Sequence, residues 1–388
     1  MSIETTTRNA ELSDLMDMLH RQQDLKLDAV VPATAIRSEG GNLIVSGMSV
    51  MGDDFTFRPT DICDAHIADK LGIPLTYLRT LRTTRPDLFD ANVNGWLRGN
   101  PAQHAPGSTG IHNVGPYSDP DPRSFLLRTF SDPDGGEGIA RAMHSDRYAV
   151  IDNLDVLFAA MEGIRDAGVP VDFAGGDLSE RRMSVRFSAP SVAALAPTLL
   201  AGYRSPFTGA TGDENPTVFA GFELSNSETG GGSFSITPRL IVQVCNNGMK
   251  MSKDVFRKVH LGSRQAEGVV RYSDETRRLQ MGLVTSEARD TVATFLDLDY
   301  VTTAIATLEA KSGAPVSDAV KTVEMVGKAL HYTEDEQAAI LAQFVRGGQA
   351  TAGGVMQAIT ATAQTVADPD RAYDLEATAV AAMELVAA

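Results

Sequence analysis

The stretch Phe219–Arg278, which decides the fold of the middle of the chain, reads FAGFELSNSETGGGSFSITPRLIVQVCNNGMKMSKDVFRKVHLGSRQAEGVVRYSDETRR. Two apolar segments flank a turn of small residues, and this pattern predicts a β-hairpin. In the second segment Leu240 and Val242 alternate with Arg239, so the two kinds of residue face opposite sides of a sheet. The Asn246–Gly248 corner then predicts a turn from this strand into a helix, with backbone amides that could bind an anion at the helix entrance.

The chain around this corner is basic, although the protein is acidic. The 388 residues include 34 Lys/Arg and 50 Asp/Glu, a net charge of −16 at pH 7. From Arg239 to Gln280 there are nine Lys/Arg and four Asp/Glu, a balance of +5, which leaves 25 and 46, or −21, for the rest. Positive charge gathered on one part of an acidic protein indicates a surface for a polyanion.

We predict that the segment after the corner is a basic helix with Ser252 as its N-cap. Several Lys/Arg along a line bind phosphates with salt-dependent affinity, and Tyr272 offers a ring that stacks on unpaired bases. The alternative is a solvated helix face whose charges happen to share a sign. The predicted nucleic-acid-binding residues, here called the basic track, are Arg239, Lys250, Lys253, Arg257, Lys258, Arg264, Arg271, Tyr272, Arg277 and Arg278.

Hairpins without regular strand–helix alternation predict an α+β fold, with a central, mainly antiparallel sheet and packed helices. An all-helical, acidic C-terminal region follows, because residues 281–388 contain six Lys/Arg and fifteen Asp/Glu in alanine-rich helical segments. We predict an N-terminal α+β region with a helical hairpin (1–100) and a Gly/Pro-rich linker or loop (101–123). An α+β core with the hairpin and basic helix (124–282) and a helical acidic C-terminal domain (283–388) complete the chain.

Local signals predict several element ends. Gly40 and Gly41 indicate a turn between strands, Thr60 a helix N-cap, and Gly72 a helix end. Thr333 followed three residues later by Glu336 is typical of a capping box. Tyr148–Ile151 is predicted to be a strand.

Asp64–Leu81 has the outline of a helix-turn-helix with Gly72 at its turn. As a DNA reader, its second helix would offer Thr76, Arg79, Thr80, Arg82 and Arg85. Simple packing of a helical hairpin is the favoured alternative.

No sequence motif indicates catalysis or a cofactor. Cys63 and His66, one helical turn apart, could supply two metal ligands, whereas a tetrahedral zinc site needs three or four. The two cysteines fit a reducing compartment, and neither a signal peptide nor a membrane-spanning run is evident. We therefore expect a cytoplasmic protein without enzymatic activity, catalytic residues, metal, cofactor or membrane partner.

Several blocks resemble the phage/plasmid-like proteins grouped as domain of unknown function 932. They are LGIPLTYLRTL (71–81), PDLFDANVNGWL (86–97), FLLRTFSD (125–132), GIARAMHSDRYAVIDNLDVL (138–157), ELSNSETGGGSFSITPRLIVQVCNNGM (223–249) and TAGGVMQAITATAQ (351–364). The resemblance spans roughly residues 55–365 and implies a mobile-element context without an established activity. The family's NGM-type corner falls on Asn247–Met249 and its SDRY-type block on Ser145–Tyr148.

Together these observations predict a mobile-element protein that binds single-stranded nucleic acid, with single-stranded DNA favoured, and that assists annealing or recombination. Proteins of that kind assemble into rings or filaments, so we expect a homo-oligomer. The alternatives are a self-assembling structural or scaffolding protein, a helix-turn-helix regulator, and an enzyme with an unfamiliar site.

Overall fold

The computed structural model describes residues 3–48, 53–99, 119–148, 150–258 and 274–388. In chain order the described strands are β1 (Thr7–Ala10), β2 (Ala29–Pro32), β3 (Ile36–Glu39), β4 (Asn42–Val45), β5 (Phe55–Pro59), β6 (Ser124–Phe130), β7 (Gly138–Ser145), β8 (Asp172–Leu178), β9 (Met183–Leu195), β10 (Thr217–Asn226), β11 (Phe234–Val242), β12 (Asn247–Lys250) and β13 (Phe256–Lys258). The described helices are α1 (Leu12–Leu25), α2 (Asp61–Leu71), α3 (Leu75–Thr84), α4 (Pro86–Arg98), α5 (Asn153–Ala167), α6 (Pro197–Leu200), α7 (Asp274–Phe295), α8 (Leu298–Ser312), α9 (Ala319–Leu330), α10 (Glu334–Gly347), α11 (Ala352–Thr365) and α12 (Pro369–Ala387).

The larger sheet contains seven antiparallel strands. Its order is β1-β8-β9-β10-β11-β12, and β13 pairs with the start of β11. The predicted hairpin is its centre, since β10 and β11 pair from Val218↔Val242 to Ser225↔Ser235. One face is apolar and belongs to the main core, with Phe187 and Phe222 stacked 5.0 Å apart. The opposite face is polar.

The helices α5 and α7 pack closely against each other beside this apolar face. Gly163 in α5 makes the close approach possible, because a Cβ there would lie 2.6 Å from the carbonyl oxygen of Thr285. The core includes Val156 and Leu157 of α5 and Ala288 of α7. The glycine is thus required by helix packing, since no side chain fits at that distance.

The smaller sheet has the order β2-β6-β7-β5-β4-β3. Its pairs are antiparallel except β5 with β7, which are parallel. The helices α2, α3 and α4 bury a second core against it. Here the local predictions hold: Gly40 and Gly41 have positive φ in the β3–β4 turn, the Thr60 hydroxyl caps α2, and Gly72 ends that helix in the left-handed conformation.

Each sheet combines strands from two segments of the chain that were predicted to be separate domains. Strands β6 and β7 lie after residue 123, yet they complete the sheet begun by β2–β5. Strand β1 lies in the N-terminal region, yet it extends the larger sheet. The predicted segments 1–100 and 124–282 are therefore intertwined in space.

A buried ionic network joins the two sheets. Arg128 of β6, fully buried, donates to Asp28 at 2.9 Å, to Asp152 at 2.6 Å and to the carbonyl oxygen of Glu228 at 3.0 Å. Glu228 follows β10 and accepts from Arg141 of β7 at 2.7 Å. We call these residues the inter-sheet network.

The predicted α+β class and the all-helical C-terminal region, α7–α12, are confirmed. Helix α11 is almost wholly buried and packs between α10 and α12. The capping box is also confirmed, because the Thr333 hydroxyl and the Glu336 carboxylate accept from each other's backbone N–H groups. Helices α11 and α12 both contact β12 at the end of the larger sheet.

Three local predictions are wrong. The sequence predicted a basic helix with Ser252 as its N-cap, but the described residues 252–258 form a turn and strand β13. The corner joins two strands, with Asn246 at φ 56° in the turn. The described residues of Tyr148–Ile151 are not a strand, since β7 ends at Ser145.

Within the described residues, no helix has both the length and the apolar character needed to cross a membrane.

Candidate functional site

The structure buries two residues of the basic track. Arg239 is 5 % exposed and Lys250 is 1 % exposed, and they face each other across β11 and β12. Lys250 donates to Glu223 at 2.8 Å and lies 3.5 Å from Glu376 of α12, which also holds Arg239. Lys250, predicted as a nucleic-acid-binding residue of the basic track, is therefore buried inside the protein, where carboxylates neutralise it.

The other members of the basic track are exposed or lie outside the description. Lys253 has 75 % of its side chain exposed and pairs with Glu384 at 2.7 Å, and Arg257 is exposed on the edge strand β13. Arg278 is exposed on α7 and pairs with Glu275. Arg264, Arg271 and Tyr272 lie outside the described residues, as do the side chains of Lys258 and Arg277.

The helical hairpin Asp64–Leu81 exists, but its arginines serve the fold. Arg79 donates to the carbonyl oxygen of Asp61 at 2.8 Å. Arg82 donates to the carbonyl oxygen of Pro59 at 2.7 Å and pairs with the buried Asp64. Of the predicted DNA-reading set, Thr76, Thr80 and Arg85 remain exposed. This favours the packing interpretation.

A cavity of about 400 Å³ opens on the polar face of the larger sheet, and we call it the arginine pocket. Its lining consists of Arg8, Asn9, Phe173, Ala174, Arg186, Ser188, Phe219, Arg239, Ile241, Asn246, Gln364 and Glu376. These residues come from β1, β8–β11, the β11–β12 turn, α11 and α12. The site therefore combines the N-terminal strand, the central sheet and the C-terminal helices.

A glycine leaves room for this cavity. Gly221 of β10 lies between Ser188 of β9 and Arg239 of β11 in the sheet register. A Cβ at Gly221 would lie 2.5 Å from the carbonyl oxygen of Phe187 and 2.7 Å from Cδ1 of Ile241, so any side chain would collide with the backbone of β9 and with the apolar part of the lining. Phe219 pairs with Ile241 next to it and supplies an apolar surface.

Two of the arginines are fixed by a shared carboxylate. Arg8 and Arg186 both donate to Asp177 of β8. Arg8 also donates to the carbonyl oxygens of Ala363 at 3.1 Å and Val366 at 3.3 Å, which lie at the end of α11. Although burial raises the pKa of Asp177, the Arg186 hydrogen bonds and charge outweigh it and keep that pKa below its ordinary value.

Arg239 is held less completely. Its Nη2 donates to the two Glu376 oxygens at 3.3 and 3.2 Å, long for a charge-assisted bond. Among the described residues, none accepts a hydrogen bond from its buried Nε. The guanidinium lies against Gly248, where a Cβ would be 2.0 Å from Nη2. Arg239 is thus incompletely satisfied at a position where its side chain lines the cavity.

The charges at the pocket leave one cation in excess. Arg8, Arg186, Arg239 and Lys250 face three carboxylates, which are Asp177, Glu223 and Glu376. Burial raises the pKa of Glu376, but the charges of Arg239, Lys250, Arg186 and Arg8 outweigh it and hold the pKa below its usual range. With four cations and three carboxylates each given its formal charge, the local balance is +1.

Among the described residues, Cys63 and His66 gain no further metal ligand. The Nδ1 atom of His66 accepts from the backbone N–H of Met143 at 3.2 Å, and burial raises the pKa of the Cys63 thiol. In the part of the chain that the structure describes, no group of three or more His, Cys, Asp or Glu side chains could hold a metal ion.

Sequence reasoning missed Arg8, Asn9 and Arg186 as site residues. A signal was present in β9, where Ser184, Arg186 and Ser188 alternate with Met183, Val185 and Phe187 and mark a polar sheet face. No signal in the sequence joins β1 to that face, because Arg8 lies more than 160 residues from its partner Asp177.

Comparisons with known proteins found no match for this chain among family models, curated proteins or solved structures. The resemblance to domain of unknown function 932 therefore stays a prediction, and the site is interpreted from its own geometry.

Proposed function

We propose that this protein binds single-stranded nucleic acid and that the arginine pocket holds one nucleotide of the strand. The observation that carries the proposal is Arg239, a nearly buried guanidinium that lines an open cavity and donates to its ionic partner, Glu376, only at 3.2 and 3.3 Å. Charge-assisted hydrogen bonds are normally shorter, so a guanidinium held this loosely in a cavity marks a place for a further acceptor.

The charge balance favours a phosphodiester as that acceptor. A phosphodiester carries one negative charge, which matches the local excess of +1. Arginine presents a planar fork of donors that suits phosphate oxygens. The apolar surfaces of Phe173 and Phe219 line the same cavity and offer a partner for the flat face of a base.

The proposal moves the binding site away from the basic track. Arg239 remains, but its role changes from one of many exposed cations to the main ligand of a pocket. Lys250 serves to neutralise Glu223 and Glu376, and Lys253 and Arg257, which do not line the pocket, are not part of the site. The mobile-element context, the role in annealing or recombination and the cytoplasmic location accompany this proposal as expectations.

Fluorescence anisotropy with a labelled single-stranded 12-mer tests the proposal. Arg239→Lys keeps the charge beside Glu376 but removes the guanidinium fork, so we expect the dissociation constant to rise about tenfold or more. The matched control is Arg278→Gln, which removes an exposed cation of the basic track on α7. We expect this variant to change the dissociation constant less than about twofold. Equal losses in both variants, or no binding by the unmodified protein, would refute the pocket as the site.

Self-assembly is the second candidate function. Leu279 and Leu283, one turn apart on α7, are 59 % and 50 % exposed. Apolar side chains exposed in pairs on a helix are typical of helix–helix contacts between subunits. Leu279→Glu together with Leu283→Glu should then reduce the mass measured by light scattering, whereas an unchanged mass excludes this helix face from assembly.

A further inference from the structure

The two adjacent asparagines of the β11–β12 turn differ in how they are used. Asn247 is fully buried, and its amide nitrogen donates to the hydroxyl of Tyr203 at 3.0 Å and to Gln357 Oε1 at 3.4 Å. Its oxygen accepts from Gln364 of α11. Every polar atom of this side chain is therefore engaged in holding α11 to the sheet.

Asn246 has the opposite character. Its backbone N–H donates to the carbonyl oxygen of Val242 at 2.8 Å, which fixes the turn, while its φ of 56° is in the left-handed region. Its side chain is exposed and lines the arginine pocket, and no described residue forms a hydrogen bond with its side-chain amide. The turn thus fixes the backbone of Asn246 and leaves its side-chain amide unused by the fold.

The pocket accordingly offers three kinds of contact in one cavity of about 400 Å³. Arg239 and Arg186 supply cationic donors, Phe173 and Phe219 supply apolar surface, and Asn246 supplies an adjacent donor and acceptor. A nucleotide has the complementary parts, since it joins an anionic phosphate to a flat base with a hydrogen-bonding edge. An asparagine amide fits adenine best, because it accepts from N6 and donates to N7 at the same time.

We propose that Asn246 reads the base and makes the pocket selective for adenine. The inference rests on the proposed function, because it names the nucleotide that the strand places in the pocket. Arg239 contributes affinity for any nucleotide, and Asn246 contributes the difference between one base and another. A bidentate amide–adenine pair corresponds to roughly 1–3 kcal/mol of discrimination, so about a tenfold preference is expected.

The experiment compares labelled dA12, dC12 and dT12 in anisotropy titrations of the unmodified protein and of Asn246→Gly. Glycine is the suitable replacement because it accepts the left-handed turn and removes the amide. We expect the unmodified protein to bind dA12 about tenfold more tightly than dT12. In Asn246→Gly the two dissociation constants should converge, because the affinity for dA12 falls toward that for dT12.

Calorimetric titrations with free AMP and UMP separate this inference from the proposed function. Selective binding of AMP without binding of any 12-mer refutes the nucleic-acid function and supports the adenine site. Binding of all three 12-mers with equal affinity overturns the adenine site and leaves the nucleic-acid function standing. A preference for dA12 that survives in Asn246→Gly also overturns the role of Asn246. If neither 12-mers nor mononucleotides bind, both proposals are refuted.

Discussion

Arg239 is a buried cation whose ionic partner lies at the long end of hydrogen-bond range. A buried charge is costly unless it is paired and its donors are satisfied. Here the carboxylate of Glu376 is shared with Lys250, and the Nε of Arg239 remains unsatisfied. The residue therefore carries a cost in the free protein that an anionic ligand would offset, which is the physical basis of the proposed binding.

Gly248 determines where this guanidinium lies. In Gly248→Ala the new methyl group would fall 2.0 Å from Nη2 of Arg239, so the side chain must move. We expect a loss of about 1–3 kcal/mol in the free energy of unfolding, as for overpacking, together with weaker oligonucleotide binding. Gly282→Ala, in an open position on α7, is the control and should be neutral or slightly stabilising. Urea denaturation measures the stability, and equal behaviour of the two variants would contradict the assigned position of Arg239.

Asp64 gives the chain a specific pH dependence. Burial raises its pKa to about 6, although Arg82 and Arg79 act in the opposite direction. Since the folded carboxyl binds its proton more tightly than the unfolded one, its contribution to stability falls as the pH rises from about 4 to 6. Asp64→Asn should lack this fall. The difference in free energy of unfolding between Asp64→Asn and the unmodified protein should therefore shift in favour of the variant by about 1–2 kcal/mol from pH 4 to pH 7.5, after allowance for screening.

Urea denaturation of both proteins at these two pH values measures that difference. Asp87→Asn serves as a control, since Asp87 is exposed on α4 and the neighbouring Arg85 hydrogen bond lowers its pKa. A constant difference in stability between Asp64→Asn and the unmodified protein over this range would show that Asp64 is not the buried, proton-binding group described.

The elements show which features local sequence can predict. The hairpin β10–β11, the ends of α2 and the capping box of α10 follow from periodicity, turn residues and caps within a few residues. The segment that contains β13 was predicted to be a helix, and β12 to be part of a turn into it, because the apolar and basic residues there suit a helix. Their conformation is instead fixed by long-range pairing, as Lys250 pairs with Arg239 and Arg257 with Ser235. Local patterns do not contain that information.

The candidate site was predictable only in part for the same reason. Arg239 was identified from its sequence position among other cations, and Asn246 from the turn that it forms. The carboxylates that neutralise the basic track come from β10 and α12, and Arg8 comes from the N-terminal strand. A count of charges along the chain cannot show which of them are paired across the sheet.

The capping box of α10 should contribute measurably to stability at the element scale. Besides capping its own helix, Glu336 accepts from Arg371 of α12 at 2.7 Å, so the cap also joins two helices. Thr333→Ala should lower the free energy of unfolding by about 1 kcal/mol. Thr302→Ala, at an exposed position within α8, is the control and should change it by less than about 0.5 kcal/mol. If chemical denaturation gives the same value for both variants, the cap does not stabilise α10.

At the scale of the whole molecule, the inter-sheet network should make the two sheets unfold together. Arg128→Met leaves Asp28 without its ion-pair partner and Asp152 with Lys26 alone, and removal of one partner from such a network costs about 3–5 kcal/mol. Arg58→Met, which breaks an exposed ion pair with Glu137, should cost less than about 1 kcal/mol.

The single tryptophan, Trp96 in α4, reports on the smaller sheet, while the far-ultraviolet signal is dominated by the many helices. In the unmodified protein the two signals should change at the same denaturant concentration. Separate transitions in the unmodified protein would show that the inter-sheet network does not couple the sheets.

The salt dependence of oligonucleotide binding tests most directly whether one pocket, and not a basic track, receives the nucleic acid. For single strands the slope of log K against log salt concentration is about −0.7 for each phosphate neutralised. A single phosphodiester in the arginine pocket predicts a slope near −0.7 for a 12-mer between about 50 and 200 mM salt. A slope of about −3 or steeper would mean that several exposed cations bind the strand together, and it would contradict the pocket.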